Sequence, residues 1–116
     1  MTSHPHSIEQ ALSAIEVKDY LKAFTILSAL AEGGHPKAQL NLATLFQFGW
    51  GTDPDGKKAA ELYETVGAMG ITEEHISAIA YNNLATLYFV GAPGISQDAE
   101  KGLKYRRLCK NLGFEM

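Results

Sequence analysis

Cysteine is almost absent from this chain: Cys109 is the only one, so no intrachain disulfide can form and nothing points to an oxidising compartment. A cytoplasmic location is therefore expected. Positive charge is scarce too, with 10 Lys and Arg against 13 Asp and Glu and a net charge of -3, which gives no electrostatic reason to expect nucleic acid as a partner. Long apolar runs are missing: every stretch is broken by Asn, Thr, Gly or Glu well short of the roughly 18 residues a membrane span requires. The first residues, Met1 to Ser7, hold two histidines and a proline but no basic segment followed by an apolar one, so a signal peptide is not expected. No useful length alternates with period two, which argues against strands. With 116 residues and an apolar fraction of 46%, one globular domain spanning 1–116 is the expectation.

What the chain does have is internal repetition. Asn41-Leu42-Ala43-Thr44-Leu45-Phe46 recurs as Asn83-Leu84-Ala85-Thr86-Leu87-Tyr88. Each copy runs into a glycine-bearing loop, Gly49-Trp50-Gly51 or Gly91-Ala92-Pro93-Gly94, and then to an acid, Asp55 or Asp98, ahead of a second helical stretch. Those stretches align at Ala59 and Gly102 and stop at Gly70 and Gly113; Ala23 and Gly34 occupy the same frame. The repeat is 36 residues from Ala23 to Ala59 and 43 from Ala59 to Gly102, within the range of helix-turn-helix solenoids. Most of the extra length falls between Gly70 and Asn83, and one residue falls in the loop of Pro93. Repeats of roughly 7–34, 35–70 and 71–113 follow.

Helical phase agrees. At 100° per residue, Ala38, Leu42, Leu45 and Phe46 share one face of the helix that begins at Pro36, while Leu40, Thr44 and Gln47 lie opposite. Pro36 suits a first helical position, Thr72 followed by Glu73 and Glu74 suits an N-cap and first turn, and the closing glycines suit C′ positions. The pattern predicts six helices, near 7–16, 19–32, 36–48, 56–69, 73–90 and 98–112, in an all-α fold.

From about residue 19 to 113 the chain resembles a Sel1-like repeat protein, a relative of the tetratricopeptide repeats. The most specific stretch is GAPGISQDAEKG at 91–102, together with the helix openings Ala80-Tyr81-Asn82-Asn83-Leu84 and Ala38-Gln39-Leu40-Asn41-Leu42. Three features depart from the family pattern. The first pair has only Glu16-Val17-Lys18 in place of the long glycine loop, so it looks more like a tetratricopeptide pair; Gly102 stands where alanine is usual, and Trp50 stands between the loop glycines. The resemblance implies a short right-handed α-solenoid that binds protein or peptide partners or serves as an adaptor, with no shared catalytic residues and no cofactor. In such solenoids the first helices line the concave side. Small residues such as Ala43, Ala59, Ala85 and Gly102 would allow close helix crossings, and Leu45, Phe46, Leu62, Leu87 and Tyr88 would fill the space between repeats.

Candidate chemistry yields to plainer readings. Asp53-Pro54-Asp55-Gly56 begins like a calcium loop, but Lys57 and Lys58 fall at positions five and six, where a ligand and a glycine are needed; a turn and N-cap fit better. His4 and His6 are too few for a metal site and read as a tail. His35 and His75 sit near helix starts without partners for catalysis, and Cys109 reads as a small buried hydrophobe. No nucleophile elbow, phosphate-binding loop or paired-cysteine zinc signature is present, so neither enzyme activity nor a metal is expected.

Function is expected instead on the exposed face of the first helices. Asn41 and Asn83 repeat with the scaffold and read as residues that hydrogen-bond a neighbouring loop or helix, with ligand-facing amides along a groove as the alternative. The positions that vary between copies, Leu40, Thr44 and Gln47 against Asn82, Thr86 and Phe89, with Phe48 and Val90 on the flank, are candidates for partner contact. Leu40, Thr44, Gln47, Phe48, Asn82, Thr86 and Phe89 are thus expected along one concave strip, although packing of Phe48 and Phe89 against the next repeat or loop is an equal alternative. The last helix concentrates Lys101, Lys104, Arg106, Arg107 and Lys110, a solvated face or the seat of an acidic partner. A second functional expectation is self-association, as a homodimer through exposed terminal helices, because the third pair ends without the polar capping helix that solenoids commonly need.

Overall fold

The computed structural model describes residues 7–70 and 75–113, and in them the chain forms α1 (Ile8–Glu16), α2 (Tyr20–Glu32), α3 (Pro36–Phe48), α4 (Gly56–Gly67), α5 (Ile76–Val90) and α6 (Ala99–Asn111). No strand occurs among these residues; a single antiparallel bridge joins Ala92 to Ile95 around the Pro93–Gly94 turn. The expected elements are all present. The one sizeable shift is at α5, expected from residue 73 but starting at Ile76, because His75 takes the left-handed conformation (φ 54°) that helical continuation forbids. The expected cap at Thr72, with Glu73 and Glu74, lies outside the described residues, as do His4 and His6.

Local chemistry sets the helix ends. Ser7 and Gln10 form a reciprocal capping box on α1. Asp19, Asp55 and Asp98 each accept a hydrogen bond from the backbone N–H of the lysine three residues on, Lys22, Lys58 and Lys101, at 3.3, 3.0 and 3.1 Å. Pro36 stands at the first position of α3, and His35 caps that helix by accepting the Ala38 N–H on Nδ1. The aspartate of Asp53-Pro54-Asp55 therefore serves a helix terminus, and no group of three or more potential metal-binding side chains occurs among the described residues.

Consecutive helices pack against one another along the whole chain, and α3 also touches α5 directly. Among the described residues no contact of that extent joins α4 to α6, so at the second and third repeats the first helices approach more closely than the second helices do. The body measures 48 × 31 × 22 Å. Two apolar clusters fill it, one around Ala11, Ala23, Leu27, Ala38 and Leu45, the other around Ala43, Ala59, Tyr63, Leu84, Ala85 and Tyr105. Phe46 and Leu62 touch both and join them into one core.

The loops between paired helices are held alike in the second and third repeats. The amide of Asp55 donates to the Phe46 carbonyl at 2.7 Å, and the amide of Asp98 donates to the equivalent Tyr88 carbonyl at 2.8 Å. The following lysine then lies over the same aromatic: Lys58 over Phe46 at 5.3 Å and Lys101 over Tyr88 at 5.2 Å, each worth about 0.5–1 kcal/mol at such an exposed position. Each loop also covers the start of the preceding second helix. Gly51, with φ of 78°, passes so close to Tyr20 that a Cβ would stand 2.3 Å from its carbonyl oxygen, and Gly56 donates its amide to the Pro93 carbonyl at 2.7 Å.

Candidate functional site

The exposed positions expected to contact a partner lie on α3 and α5, and Tyr63 of α4 decides much of their chemistry. The Tyr63 ring is buried, yet its hydroxyl reaches the first-helix layer, donating to Gln47 Oε1 at 2.8 Å and lying 3.1 Å from Thr44 Oγ1. The Asn83 side chain also hydrogen-bonds it, so one phenol links α3, α4 and α5. Burial pushes the Tyr63 pKa up, an effect that the bonds from Thr44 and Asn83 partly oppose. Asn41, at the repeat-equivalent position, instead donates to the Lys37 carbonyl of its own helix at 2.8 Å. Asn83 thus makes the bond to a neighbouring helix that the recurrence suggested, whereas Asn41 bonds only within its own helix.

The seven residues expected along the strip divide. Phe48 and Thr86 are exposed, and Asn82 is half-buried with its carbonyl accepting from the Thr86 hydroxyl at 3.1 Å. Thr44 and Gln47 are half-buried and engaged with Tyr63. Leu40 and Phe89 are half-buried as well, packed against the second core cluster. Phe89 lies over Gly102 of α6, and the Arg106 guanidinium stacks on its ring at 4.7 Å. Phe48 is 55% exposed, and its ring packs on a loop, as the alternative allowed: it stacks on Trp50 at 5.1 Å, and Trp50 stacks in turn on Tyr20 at 5.0 Å.

Sequence reasoning did not anticipate that aromatic run. Trp50 is singular in its loop, and the signal available was its position between Gly49 and Gly51, two positive-φ residues that let the loop lay an indole on its neighbours. Val90, at the position of Phe48 in the next repeat, is 67% exposed. The inner edge therefore carries apolar surface at the C-terminal ends of both α3 and α5.

The other candidates have structural work. Cys109 is buried and its thiol donates to the Ala78 carbonyl at 3.3 Å, while burial raises its pKa, the reverse of what a nucleophile requires. His35 is a helix cap. No helix among the described residues is long and apolar enough to cross a membrane.

Stacked helix pairs and glycine loops clamped over the preceding repeat define an α-solenoid of helical repeats. The Sel1 repeat model matches residues 36–70 and 78–106, more than half of the chain, and the chain belongs to the Sel1 repeat family. The first helix pair lies outside both matches. Among solved structures, a Sel1 repeat protein from Oxalobacter formigenes is similar over 93% of this chain and 42% of its own, with a TM-score of 0.75 and 23% identity. A protective antigen of uropathogenic Escherichia coli with an SLR fold is similar over 81% and 19%, with a TM-score of 0.66 and 21% identity. Among curated proteins, chitin synthase regulatory factor 3 of Schizosaccharomyces pombe is 30% identical over 99 residues. That match takes in 84% of this chain but only 10% of the yeast protein's length.

Proposed function

We propose that the chain is a non-catalytic adaptor that binds a protein or peptide partner on the inner face of its solenoid. The observation that carries this reading is the recurrence of exposed apolar surface at one repeat position, Phe48 and Val90, beside the polar Asn82 and Thr86. Isolated apolar side chains are ordinary on a surface, but here Trp50 and Tyr20 extend Phe48 into a stacked aromatic run. Leu40, Thr44, Gln47 and Phe89 shape the floor beneath, where they also serve the core. Membership in a family of interaction scaffolds supports the same reading.

Burying Phe48 and Val90 in a partner would contribute roughly 1.5–3 kcal/mol per side chain before ordering costs, so a micromolar contact is expected. Testing Leu40 and Phe89 would confound binding with folding, since both pack on the core. The variant to make is Phe48→Ser with Val90→Ser. For a protein captured by the wild-type chain, it should weaken binding at least about tenfold while helicity and melting temperature hold. If binding survives that change but is lost on reversing Lys104 and Arg107 to Glu, the inner-face reading falls.

A further inference from the structure

The two ends of the solenoid carry opposite charge on faces with the same spacing. On α1, Glu9, Ser13 and Glu16 are exposed on one side, Val17 follows at 75% exposure, and the helix has no basic residue. On α6, Lys104, Arg107 and Lys110 are exposed beside Leu103, which is 47% exposed. Among the described residues none of these cations pairs with a carboxylate; Lys104 lies over the Tyr105 ring. The outer face of α6 is thus charged, not an apolar surface left bare.

Repeat equivalence says what belongs against each face. Within the chain every second helix packs on the first helix of the next repeat, α2 on α3 and α4 on α5. The outer face of α6 is therefore the continuation of the α4 face that receives α5, and the outer face of α1 is the continuation of the faces by which α3 and α5 are received. We propose that these two faces bind each other between copies of this chain, giving head-to-tail association through α6 of one molecule and α1 of the next.

In the antiparallel arrangement the internal pairs use, Glu9 stands opposite Arg107 and Lys110. Glu16 stands opposite Lys104, and Val17 meets Leu103. Seven residues separate Glu9 from Glu16 and Leu103 from Lys110, about 10.5 Å in each helix, so the two sets keep register. Close packing of the internal kind is not available. Where α4 has Ala60 and Gly67, α6 has Leu103 and Lys110, and at Gly67 the Tyr81 ring occupies the place of a Cβ. The second copy rests on side-chain tips, and charge holds it, so the contact is weak, salt-sensitive and of the open, non-closing type.

Sedimentation velocity of the full chain across a concentration series, at roughly 0.02 M and 0.5 M salt, tests this. At low salt the weight-average mass should rise with concentration, and at high salt it should return to monomer. Arg107→Glu with Lys110→Glu should abolish association, as should Glu9→Lys with Glu16→Lys. Carrying all four changes in one chain restores opposite ends at unchanged net charge and should restore association, which a folding defect would not do. Phe48→Ser with Val90→Ser should associate like wild type, separating this contact from the inner-face reading. A wild-type chain that stays monomeric at low salt, or a four-change variant that does not associate, overturns the proposal. So does association that persists in both charge-reversed pairs, whether through the inner face or elsewhere.

Discussion

The ring of Phe89 lies over Gly102 so closely that a Cβ on that glycine would stand 2.7 Å from it. In the preceding repeat the equivalent positions hold Gln47 and Ala59. The absence of a side chain at Gly102 leaves the space that the Phe89 ring occupies. The exchange also rewires the layer: Tyr63 bonds Gln47 in one repeat, and Arg106, at the position of Tyr63, stacks on Phe89 in the next.

Gly102→Ala should therefore destabilise the protein, although alanine gains about 1 kcal/mol of helix propensity over glycine. Crowding the ring costs about 1–3 kcal/mol and outweighs that gain. The double variant with Phe89→Gln should recover most of the loss, since the amide frees the space and Arg106 can donate to it. Thermal melts of the single and double variants check this; a higher melting temperature for Gly102→Ala alone would contradict the packing argument.

Tyr105 donates its hydroxyl hydrogen to Glu64 Oε1 at 2.8 Å across the boundary between the second and third repeats. Its ring is stacked between those of Tyr81 and Tyr88, with centroids at 5.9 and 5.7 Å. Tyr105→Phe keeps the stack and removes the bond, and should cost about 0.5–1.5 kcal/mol, because Glu64 is exposed and partly solvated. In a double-mutant cycle with Glu64→Gln the two changes should be less than additive; full additivity in denaturant unfolding would show that the bond contributes nothing.

Ala59 and Ala85 are fully buried at helix crossings. Leucine at either position should overpack the second cluster, costing about 1–3 kcal/mol. Chemical denaturation should show a lower midpoint with an unchanged slope. Variants that unfold like the parent would remove both residues from the core.

Alkali should destabilise this chain through three buried groups. Burial raises Tyr105, reinforced by the Glu64 carboxylate that accepts its hydrogen bond, and burial raises Tyr63 and Cys109 as well. Each group is neutral in the folded state at a pH where the unfolded chain already ionises. Stability from these groups is then complete below their ordinary values of about 9 for the thiol and 10.0 for the phenols, and is lost as pH rises above them. Each contributes a slope of up to about 1.4 kcal/mol per pH unit. Melting temperature followed from pH 8 to 11 should fall beyond about pH 9, and less steeply in Tyr105→Phe. A flat profile would contradict it.

The helices α1 to α6, their frame and the aspartate caps of α2, α4 and α6 were determined by the sequence, because each rests on local chemistry: apolar residues at helical spacing, aspartates at N-caps, Pro36 inside a helix start, and Gly34, Gly70 and Gly113 at positive φ where helices close. Repetition extended this to the architecture, since two copies of one helix pair can bury their apolar faces only by stacking. Tertiary structure alone decided which half of the first-helix surface is free. Leu40, Gln47 and Phe89 share a helical face with Thr86 by phase, but phase does not reveal that Tyr63 reaches between repeats to hold Gln47, or that the missing side chain of Gly102 makes a seat for Phe89. Nor does sequence spacing bring Tyr20, Trp50 and Phe48 into one stack, because that run joins a helix start, a loop and a helix end that only the packing of one repeat on the next places side by side.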